Sequence, residues 1–319
     1  MNNNNQTDRE TLLPIVPNLA NLQMQHQLIK DTLYPMLAGN PVAHLDFPCY
    51  LNIGDLLIDA GISQFILDHK IECLGRYCAL ETRFFQRDRF PVETTLLLQG
   101  GGNFGDLYPL HNNFRKLVLE QYPENNIIFL PQSVHYRNDN HFYSDAEAFN
   151  RHAKLLICAR DQVSYDYLAQ RITTDKLCLL PDMALCIVDI LAKRKPGIEK
   201  KLIFRRRDIE VSQEALRGEN LIGSFDWEDI ITEKEKKQMR RYASLLRKSK
   251  WRLIRNIVIY KHRMLRDQLI QRAVQHFLKY NAVDTDRLHG LILAQLLNRS
   301  VIMRDNSYNK LSNYVETWL

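Results

Sequence analysis

The strongest constraint on the fold is a repeated order of short apolar runs, polar or glycine-containing turns and amphipathic stretches. Strands that alternate with helices form βα units, whose strands run parallel. The sequence therefore predicts an α/β protein. The predicted strands are residues 42–46, 94–99, 127–131, 155–159, 177–180, 201–204, 282–285 and 301–304. The predicted helices between them are residues 56–69, 108–120, 146–154, 268–278 and 291–297.

A charged segment divides the predicted elements into two halves. Residues 191–201 read LAKRKPGIEKK, and the proline followed by glycine is typical of a connection. A length of 319 residues is sufficient for two domains. We therefore predict two Rossmann-like domains that face each other across a cleft. The predicted parts are an N-terminal arm at residues 1–40, which is helical from about residue 18 to residue 36, a first domain at 41–192 and a second at 200–319.

Cysteine usage and hydropathy limit the compartment in which the chain works. The six cysteines form no CxxC pair and no zinc-ligand spacing, which is typical of reduced thiols. The first ten residues lack the basic start and the apolar stretch of a secretory signal, and no apolar run approaches the roughly 18 residues that span a bilayer. We therefore predict a cytoplasmic protein without a transmembrane segment. No spacing of histidines or acids predicts a metal site.

Positive charge is concentrated in one segment of the second half. Residues 231–266 contain thirteen Lys or Arg and two acids, although the whole chain has a net charge of only +6. Apolar side chains recur there at near-helical spacing at Tyr242, Leu246, Leu253, Ile257, Tyr260 and Met264. Residues 234–266 therefore predict a basic amphipathic helix that lies on an anionic membrane surface. A helix packed on its own domain is the alternative. Nucleic-acid binding is not predicted, because no known motif accompanies the charge.

A glycine-rich segment follows the second predicted strand. Its residues are Gly100, Gly101, Gly102, Asn103, Phe104 and Gly105, which satisfy GxGxxG. Glycines let backbone N–H groups approach an anion, and the following helix start favours negative charge. A nicotinamide site would also need an acid at the end of the next strand. That strand ends in Pro131-Gln132-Ser133 instead. A strand–helix turn without a ligand is the other interpretation.

Two Gly-Asp pairs place acids at the ends of predicted strands. Asp55 follows Gly54, and Asp106 follows Gly105. The carboxyl ends of parallel strands lie on one edge of the sheet, which is where open α/β sheets bind ligands. Each acid could instead be a favourable charge at a helix start. We favour a functional role for both.

Two cationic clusters follow predicted strands of the second half. Arg205, Arg206 and Arg207 are adjacent at the end of the strand at 201–204, and successive side chains alternate in direction, so at least one differs from its neighbours. A guanidinium binds phosphate or carboxylate through two hydrogen bonds. Arg287 and His289 lie at a predicted helix start, close to Gly290. Solvated side chains, or a structural histidine, are the alternatives.

Several of these segments occur together in a known family. They read HLDFP (44–48), NIGDLLI (52–58), GGGNFGDLY (100–108), LPQS (130–133), CARD (158–161), TDRLHG (285–290) and DNSYNKLS (305–312), with His111 and Arg115 between them. In this order the chain resembles the polysaccharide pyruvyl transferase family, most closely its members of bacterial exopolysaccharide biosynthesis. The resemblance covers about residues 40 to 319, and is weakest in the basic segment and the N-terminal arm.

The resemblance implies a fold and a reaction. The fold would be similar to the GT-B glycosyltransferases. The reaction would move the enolpyruvyl unit of phosphoenolpyruvate onto a sugar diol, giving a cyclic pyruvate ketal and phosphate. It implies no cofactor besides this donor and no metal. The acceptor would be a growing saccharide on a lipid carrier, which the enzyme would meet peripherally at the cytoplasmic face of the membrane.

The resemblance also implies residue roles. Phosphoenolpyruvate would be bound by an arginine of the Arg205–Arg207 run, with Arg206 preferred, and by Arg287, the Leu288 N–H group and His289. Arg206 is preferred because its spacing to Asp208 matches the family pattern. Asp106, with Asp55 as the alternative, would be base and cation stabiliser. His289 could instead protonate C3 or the leaving phosphate.

Three other functions remain open on the residues alone. A nucleotide-sugar glycosyltransferase could use the same architecture, because a fold does not determine a function. A protein that binds carbohydrate or membrane without catalysis could also keep the fold. A nicotinamide-dependent oxidoreductase is the third possibility and the least favoured, because the acid that its cofactor requires is missing.

Overall fold

The computed structural model describes residues 14–191, 199–207, 223–305 and 309–319. The strands are β1 (Val42–Leu45), β2 (Cys73–Tyr77), β3 (Thr95–Leu98), β4 (Gly101–Phe104), β5 (Ile127–Val134), β6 (Leu155–Ala159), β7 (Leu177–Leu179), β8 (Glu199–Phe204), β9 (Tyr280–Thr285) and β10 (Ser300–Met303). The helices are α1 (Leu19–Leu37), α2 (Ile53–Asp68), α3 (Thr82–Arg87), α4 (Pro109–Gln121), α5 (Asp139–Arg151), α6 (Gln162–Ala169), α7 (Val188–Leu191), α8 (Glu233–Lys248), α9 (Arg252–Phe277), α10 (Leu288–Leu296) and α11 (Lys310–Trp318).

The strands form two sheets, and the predicted α/β class is confirmed. A seven-stranded sheet has the order β2-β1-β3-β5-β6-β7, with β4 paired to β5, and a three-stranded sheet has the order β10-β9-β8. Every named pair is parallel. Both faces of the larger sheet are buried: Leu97 and Ile128 face one apolar core, and Leu96 and Phe129 face the other. Such two-sided burial is why these strands read as continuous apolar runs.

The N-terminal segment packs on both halves of the chain. The predicted helix is present as α1, and Asn18 caps it by accepting a hydrogen bond from the Asn21 N–H group at 3.1 Å. Its apolar face, which includes Ile29 and Leu33, is buried in a core that also contains residues of the smaller sheet. Before the helix, Ile15 exchanges two backbone hydrogen bonds with Val301 of β10, at 2.7 and 2.9 Å.

The glycine-rich segment is not the loop that its sequence predicts. Residues Gly101–Phe104 form β4, which pairs with β5. A Cβ on Gly100 would lie 2.7 Å from the Pro131 carbonyl oxygen, and one on Gly105 would lie 1.8 Å from that of His135. Gly105 also has a φ of +130°. These two glycines therefore permit close backbone packing.

The basic segment is also different from the prediction, because it forms two helices rather than one. The chain turns at Ser249–Trp251, where the Ser249 hydroxyl accepts a hydrogen bond from the Trp251 N–H group at 3.1 Å. Tyr242 and Leu246 of α8 are buried, whereas Leu253 and Tyr260 of α9 are exposed. The α8 part of the apolar stripe therefore packs in the protein core, whereas these α9 residues of the stripe face solvent. Residues 192–198 of the predicted connection at 191–201 lie outside the described residues, as does Asp208.

Candidate active site

A cavity of about 340 Å³ lies at the carboxyl edges of both sheets. From the first half it is lined by Tyr50, Asn52, Asp55, Gly102, Asn103, Tyr108, His111 and Arg160. From the second half it is lined by Arg206, Trp227, Arg287, Leu288, His289 and Lys310. Most of these residues follow the end of a strand, as expected for a ligand site in an α/β protein.

Two helices begin at this cavity. Asn52 caps α2, and its side chain accepts a hydrogen bond from the Gly54 N–H group at 3.0 Å. Helix α10 begins at Leu288 with no side-chain cap. The two starts are in close contact, because a Cβ on Gly54 would lie 2.5 Å from Nδ1 of His289. Both helix N-termini therefore direct partial positive charge towards one space, which favours a bound anion.

Two cations flank Gly102 in the cavity. A Cβ on this glycine would lie 3.3 Å from Nζ of Lys310 and 3.4 Å from Nη2 of Arg160. Arg160 is almost fully buried, and its Nε donates to the Ser133 hydroxyl at 2.8 Å. The absence of a side chain at position 102 thus leaves room for both positive groups beside the ligand space.

A buried carboxylate connects Arg160 with His289. Oδ2 of Asp182 accepts a hydrogen bond from Nη1 of Arg160 at 2.9 Å and lies 3.3 Å from Nε2 of His289. Burial opposes ionisation of Asp182, but the positive charges of His289 and Arg160 outweigh it and lower its pKa to about 2. Asp182 is therefore ionised at neutral pH and orients one side chain from each half of the chain.

Asp55 is the acidic side chain among the described residues that line the cavity. Burial raises the pKa of Asp55, while the charge of His289 and a hydrogen bond from the Tyr50 hydroxyl oppose this rise. A carboxyl group with a raised pKa in a cleft is a typical general base or acid.

A second histidine of the cavity lining is held by a carboxylate. Nδ1 of His111 lies 2.8 Å from Oδ1 of Asp46. An ionised carboxylate only accepts hydrogen bonds, so Nδ1 carries the proton and Nε2 of a neutral ring keeps its lone pair. Asp46 has a φ of 63°, a left-handed conformation that is uncommon for a residue other than glycine. The centroids of the Tyr50 and Tyr108 rings lie 6.0 and 6.5 Å from the centroid of the His111 ring.

Comparison with known proteins identifies the family. The sequence model of the family described as "Polysaccharide pyruvyl transferase" matches residues 52–308. The chain belongs to the polysaccharide pyruvyl transferase family. It is therefore a transferase enzyme, as the sequence predicted.

Named relatives agree with the family. The "Putative pyruvyl transferase EpsO" of Bacillus subtilis is 34% identical over 87% of this chain and 85% of its own length. "Pyruvyl transferase 1" of Schizosaccharomyces pombe is 26% identical over 94% of this chain and 75% of its own length. A crystal structure of an uncharacterized protein of Klebsiella pneumoniae covers 92% of this chain and 93% of its own, with a TM-score of 0.60 and 18% identity. That likeness shows a common fold.

In this pyruvyl transferase, the predicted arginines have different surroundings. Arg206 lines the cavity, and its backbone N–H group donates a hydrogen bond to Oδ1 of Asp286 at 2.9 Å. Arg205 does not line the cavity. Its Nη2 instead lies 2.6 Å from Oδ1 of Asp284 in the neighbouring strand β9. The alternation of side chains accounts for this difference. Arg287 lines the cavity, but its guanidinium makes two hydrogen bonds with Asp226, at 2.6 and 2.7 Å.

Asp106 of the transferase does not line the cavity. Its carboxylate accepts hydrogen bonds from the N–H groups of Arg137 and Asn138, at 2.8 and 3.1 Å. Although burial acts in the opposite direction, these bonds lower the pKa of Asp106. The structure thus gives Asp106 a role in holding the turn after β5. Of the glycine-rich segment, Gly102 and Asn103 line the cavity and Gly100, Gly101 and Gly105 do not.

Sequence reasoning assigned no role to Arg160, Asp182 or Lys310, which supply charged groups at or beside the cavity. Arg160 directly follows a strand, which is the signal that drew attention to Arg205–Arg207, and Asp182 follows the proline that closes the next strand. Among the described residues, no group of three or more His, Cys, Asp or Glu could hold a metal ion. No helix in the described part of the chain is both long and apolar enough to cross a bilayer.

Proposed function

We propose that this transferase moves the enolpyruvyl group of phosphoenolpyruvate onto two hydroxyls of a saccharide, forming a cyclic pyruvate ketal and releasing phosphate. The observation that carries the proposal is the convergence of Arg160, Arg206, His289 and Lys310 with two helix N-termini around one carboxyl group, Asp55. Phosphoenolpyruvate is a compact donor with a phosphate and a carboxylate. Guanidinium groups and oriented N–H groups suit both of its anionic groups.

The cations also suit the chemistry of the leaving group. The first sugar hydroxyl attacks C2 of the donor and loses its proton, while C3 gains a proton and becomes a methyl group. The second hydroxyl then attacks C2 and gives up its proton, which the departing phosphate takes up, as the C2–O bond to phosphate breaks with the electron pair leaving on phosphate. Charge that develops on the phosphate oxygens is stabilised by Arg160 and the helix starts. No oxidant or reductant is required.

Two residues suit the proton transfers. Asp55 accepts the hydroxyl proton, since burial raises its pKa and it lies on the cavity wall. It takes the role for which Asp106 had been preferred, because the carboxylate of Asp106 is occupied by the turn after β5. His289, oriented by Asp182, protonates C3 or the departing phosphate. General acid or base assistance of this kind contributes about 10²–10⁴-fold to the rate.

The proposal of a saccharide acceptor rests on the aromatic residues that line the cavity. Tyr50, Tyr108 and Trp227 line the cavity together with His111. Aromatic faces and hydrogen-bonding rings suit the apolar faces and hydroxyls of a sugar. The acceptor is an exopolysaccharide precursor or a lipid-linked oligosaccharide, which the enzyme meets peripherally at the inner face of the cell membrane.

The domain arrangement belongs to the same proposal. Residues 41–192 and 200–319 form two domains that face each other across the cavity in a GT-B-like arrangement, and residues 1–40 form an arm. The contribution of both halves to the cavity lining supports this arrangement.

Thermal melting with candidate donors tests the function. A ligand at 100 times its Kd adds about 2.7 kcal/mol of stability, which is a measurable shift in Tm. We expect a shift with phosphoenolpyruvate, a loss of that shift in His289→Ala and Arg160→Ala, and an unchanged shift in the control Asp106→Asn. A shift with nucleotide sugars but not with phosphoenolpyruvate would replace the proposal with a glycosyltransferase. An undiminished shift in both cavity variants would reject this site.

A further inference from the structure

The inner face of α9 is attached to the first half of the chain. Nε of Arg255 lies 2.6 Å from Oε1 of Glu81, and Nη1 of Arg266 lies 2.9 Å from Oδ2 of Asp59. Nε2 of His262 lies 2.8 Å from the backbone oxygen of Pro48. All three α9 side chains are buried. These contacts determine how the helix is rotated about its axis, so the opposite face points away from the protein.

That opposite face carries exposed apolar side chains. Leu253, Ile257, Tyr260 and Met264 are spaced by four, three and four residues and therefore share one side of the helix. Their exposed fractions are 72, 46, 64 and 47%, and Trp251 before the helix is 71% exposed. We call these five residues the outer face of α9. A contiguous exposed apolar patch marks an interaction surface.

The surroundings of the outer face are basic. Between Lys236 and Arg266 the sequence contains no Asp or Glu. An open groove of about 700 Å³ separates α8 from α9, and Ile257 belongs to both the groove and the outer face. The cations that line this groove are Lys234, Lys237, Arg241 and Lys261. Lys248 and Lys250 are exposed close to the outer face along the chain. Positive charge and apolar surface are thus combined on one side of the molecule.

We propose that the outer face of α9 and the α8–α9 groove dock the protein on a bilayer that contains anionic lipids. The apolar residues insert among the headgroups, Trp251 and Tyr260 suit the boundary between headgroups and acyl chains, and the groove cations bind lipid phosphates. A second copy of the chain is disfavoured as the occupant, because paired outer faces would bring like charges together. This inference goes beyond pyruvyl transfer and does not depend on it.

Co-sedimentation of the full chain with vesicles tests the proposal. The vesicles contain phosphatidylcholine alone or with one third phosphatidylglycerol, at low and high salt. We expect binding to the anionic vesicles only, and weaker binding at high salt. The outer-face variant Leu253→Ser/Ile257→Ser/Met264→Ser should lose binding. The groove variant Lys237→Gln/Arg241→Gln/Lys261→Gln should bind about a hundredfold less, since each basic residue near an anionic surface contributes about a fivefold factor.

Matched controls separate this surface from the rest of the protein. Lys30→Gln/Arg151→Gln/Lys279→Gln removes three exposed charges elsewhere, and Met24→Ser/Val92→Ser/Val163→Ser removes three exposed apolar side chains. Both controls should bind as the wild type does, and all variants are compared only when their Tm is unchanged. Equal binding to neutral and anionic vesicles, or wild-type binding by the two test variants, would overturn the proposal. So would a dimer that dissociates in the outer-face variant while vesicle binding persists.

Discussion

Replacing Asp182 with Asn tests whether one buried carboxylate assembles the anion site. Asn has the same shape but no charge. In the protein, Oδ2 of Asp182 lies 2.9 Å from Arg160 of the first half and 3.3 Å from His289 of the second. Asp182 does not contact the ligand space itself, so we regard it as a positioning residue. Its loss should leave the cavity walls present but poorly aligned.

The cost in stability follows from the pKa. The charges of His289 and Arg160 overcome the effect of burial and lower the pKa of Asp182 from 3.8 to about 2. A difference of this size corresponds to about 2 kcal/mol of stability. Because the folded-state pKa is the lower one, this stability is present above pH 3.8 and is lost as the pH falls towards 2. Asp182→Asn should lose it at neutral pH, which a chemical denaturation curve measures.

The effect on donor binding separates positioning from stability. A hydrogen bond to a charged group contributes about 1.5–3 kcal/mol, so a misaligned Arg160 should raise the Kd for phosphoenolpyruvate by about ten- to a hundredfold. Calorimetric titration measures this Kd without an acceptor. The control is Asp145→Asn, another buried acid, which accepts hydrogen bonds from Asn112 and Tyr136 and does not line the cavity. It should lose stability and keep its Kd. An unchanged Kd in Asp182→Asn would refute the reasoning.

Other predictions concern the acids. Asp55→Asn should lower kcat by about 10²–10⁴-fold with little change in Tm, as measured by phosphate release. Because burial raises the pKa of Asp55, the rate should fall on acidification at a higher pH than an exposed Asp would give. Tyr50→Phe should move this acidic limb of the pH–rate profile to still higher pH, since the Tyr50 hydroxyl favours the ionised form of Asp55. Asp106→Asn should leave kcat nearly unchanged and lower the free energy of unfolding by about 1–3 kcal/mol, because turn N–H groups lose a charged acceptor.

Regular elements could be predicted from the sequence where burial is two-sided. The strands of the larger sheet read as apolar runs because both faces are covered. Strand β2 was missed because it is an edge strand, with Cys73 and Leu74 exposed and Gly75 and Arg76 interrupting any apolar run. The break between α8 and α9 was not predicted, because Ser249 interrupts the apolar stripe only once and no proline or glycine marks the turn.

The site could be predicted only to the level of strand ends. Apart from the family resemblance, which favours Arg206, the adjacent arginines at the end of β8 look alike in sequence. The orientation of the strand determines that Arg206 and not Arg205 reaches the cavity. Arg160 gives the same signal as a single residue, which is weaker than a run of three. Asp182 also lies just after a strand, but its contacts are with side chains that are distant in sequence, at positions 160 and 289, and the sequence does not reveal them.

The two Gly-Asp pairs have the same sequence, but their acids have different surroundings. Gly54 is required because α10 of the second half approaches α2 so closely that a Cβ there would meet His289, and Asp55, the next residue, lines the cavity. Gly105 is required because its backbone has a φ of +130° and contacts that of His135, and this turn presents Asp106 to the N–H groups of Arg137 and Asn138. One acid therefore follows a glycine that packs against the other half, and the other follows a glycine that packs within its own sheet. Of the two acids, only Asp55 lines the cavity together with Arg206, His289 and Lys310 of the second half.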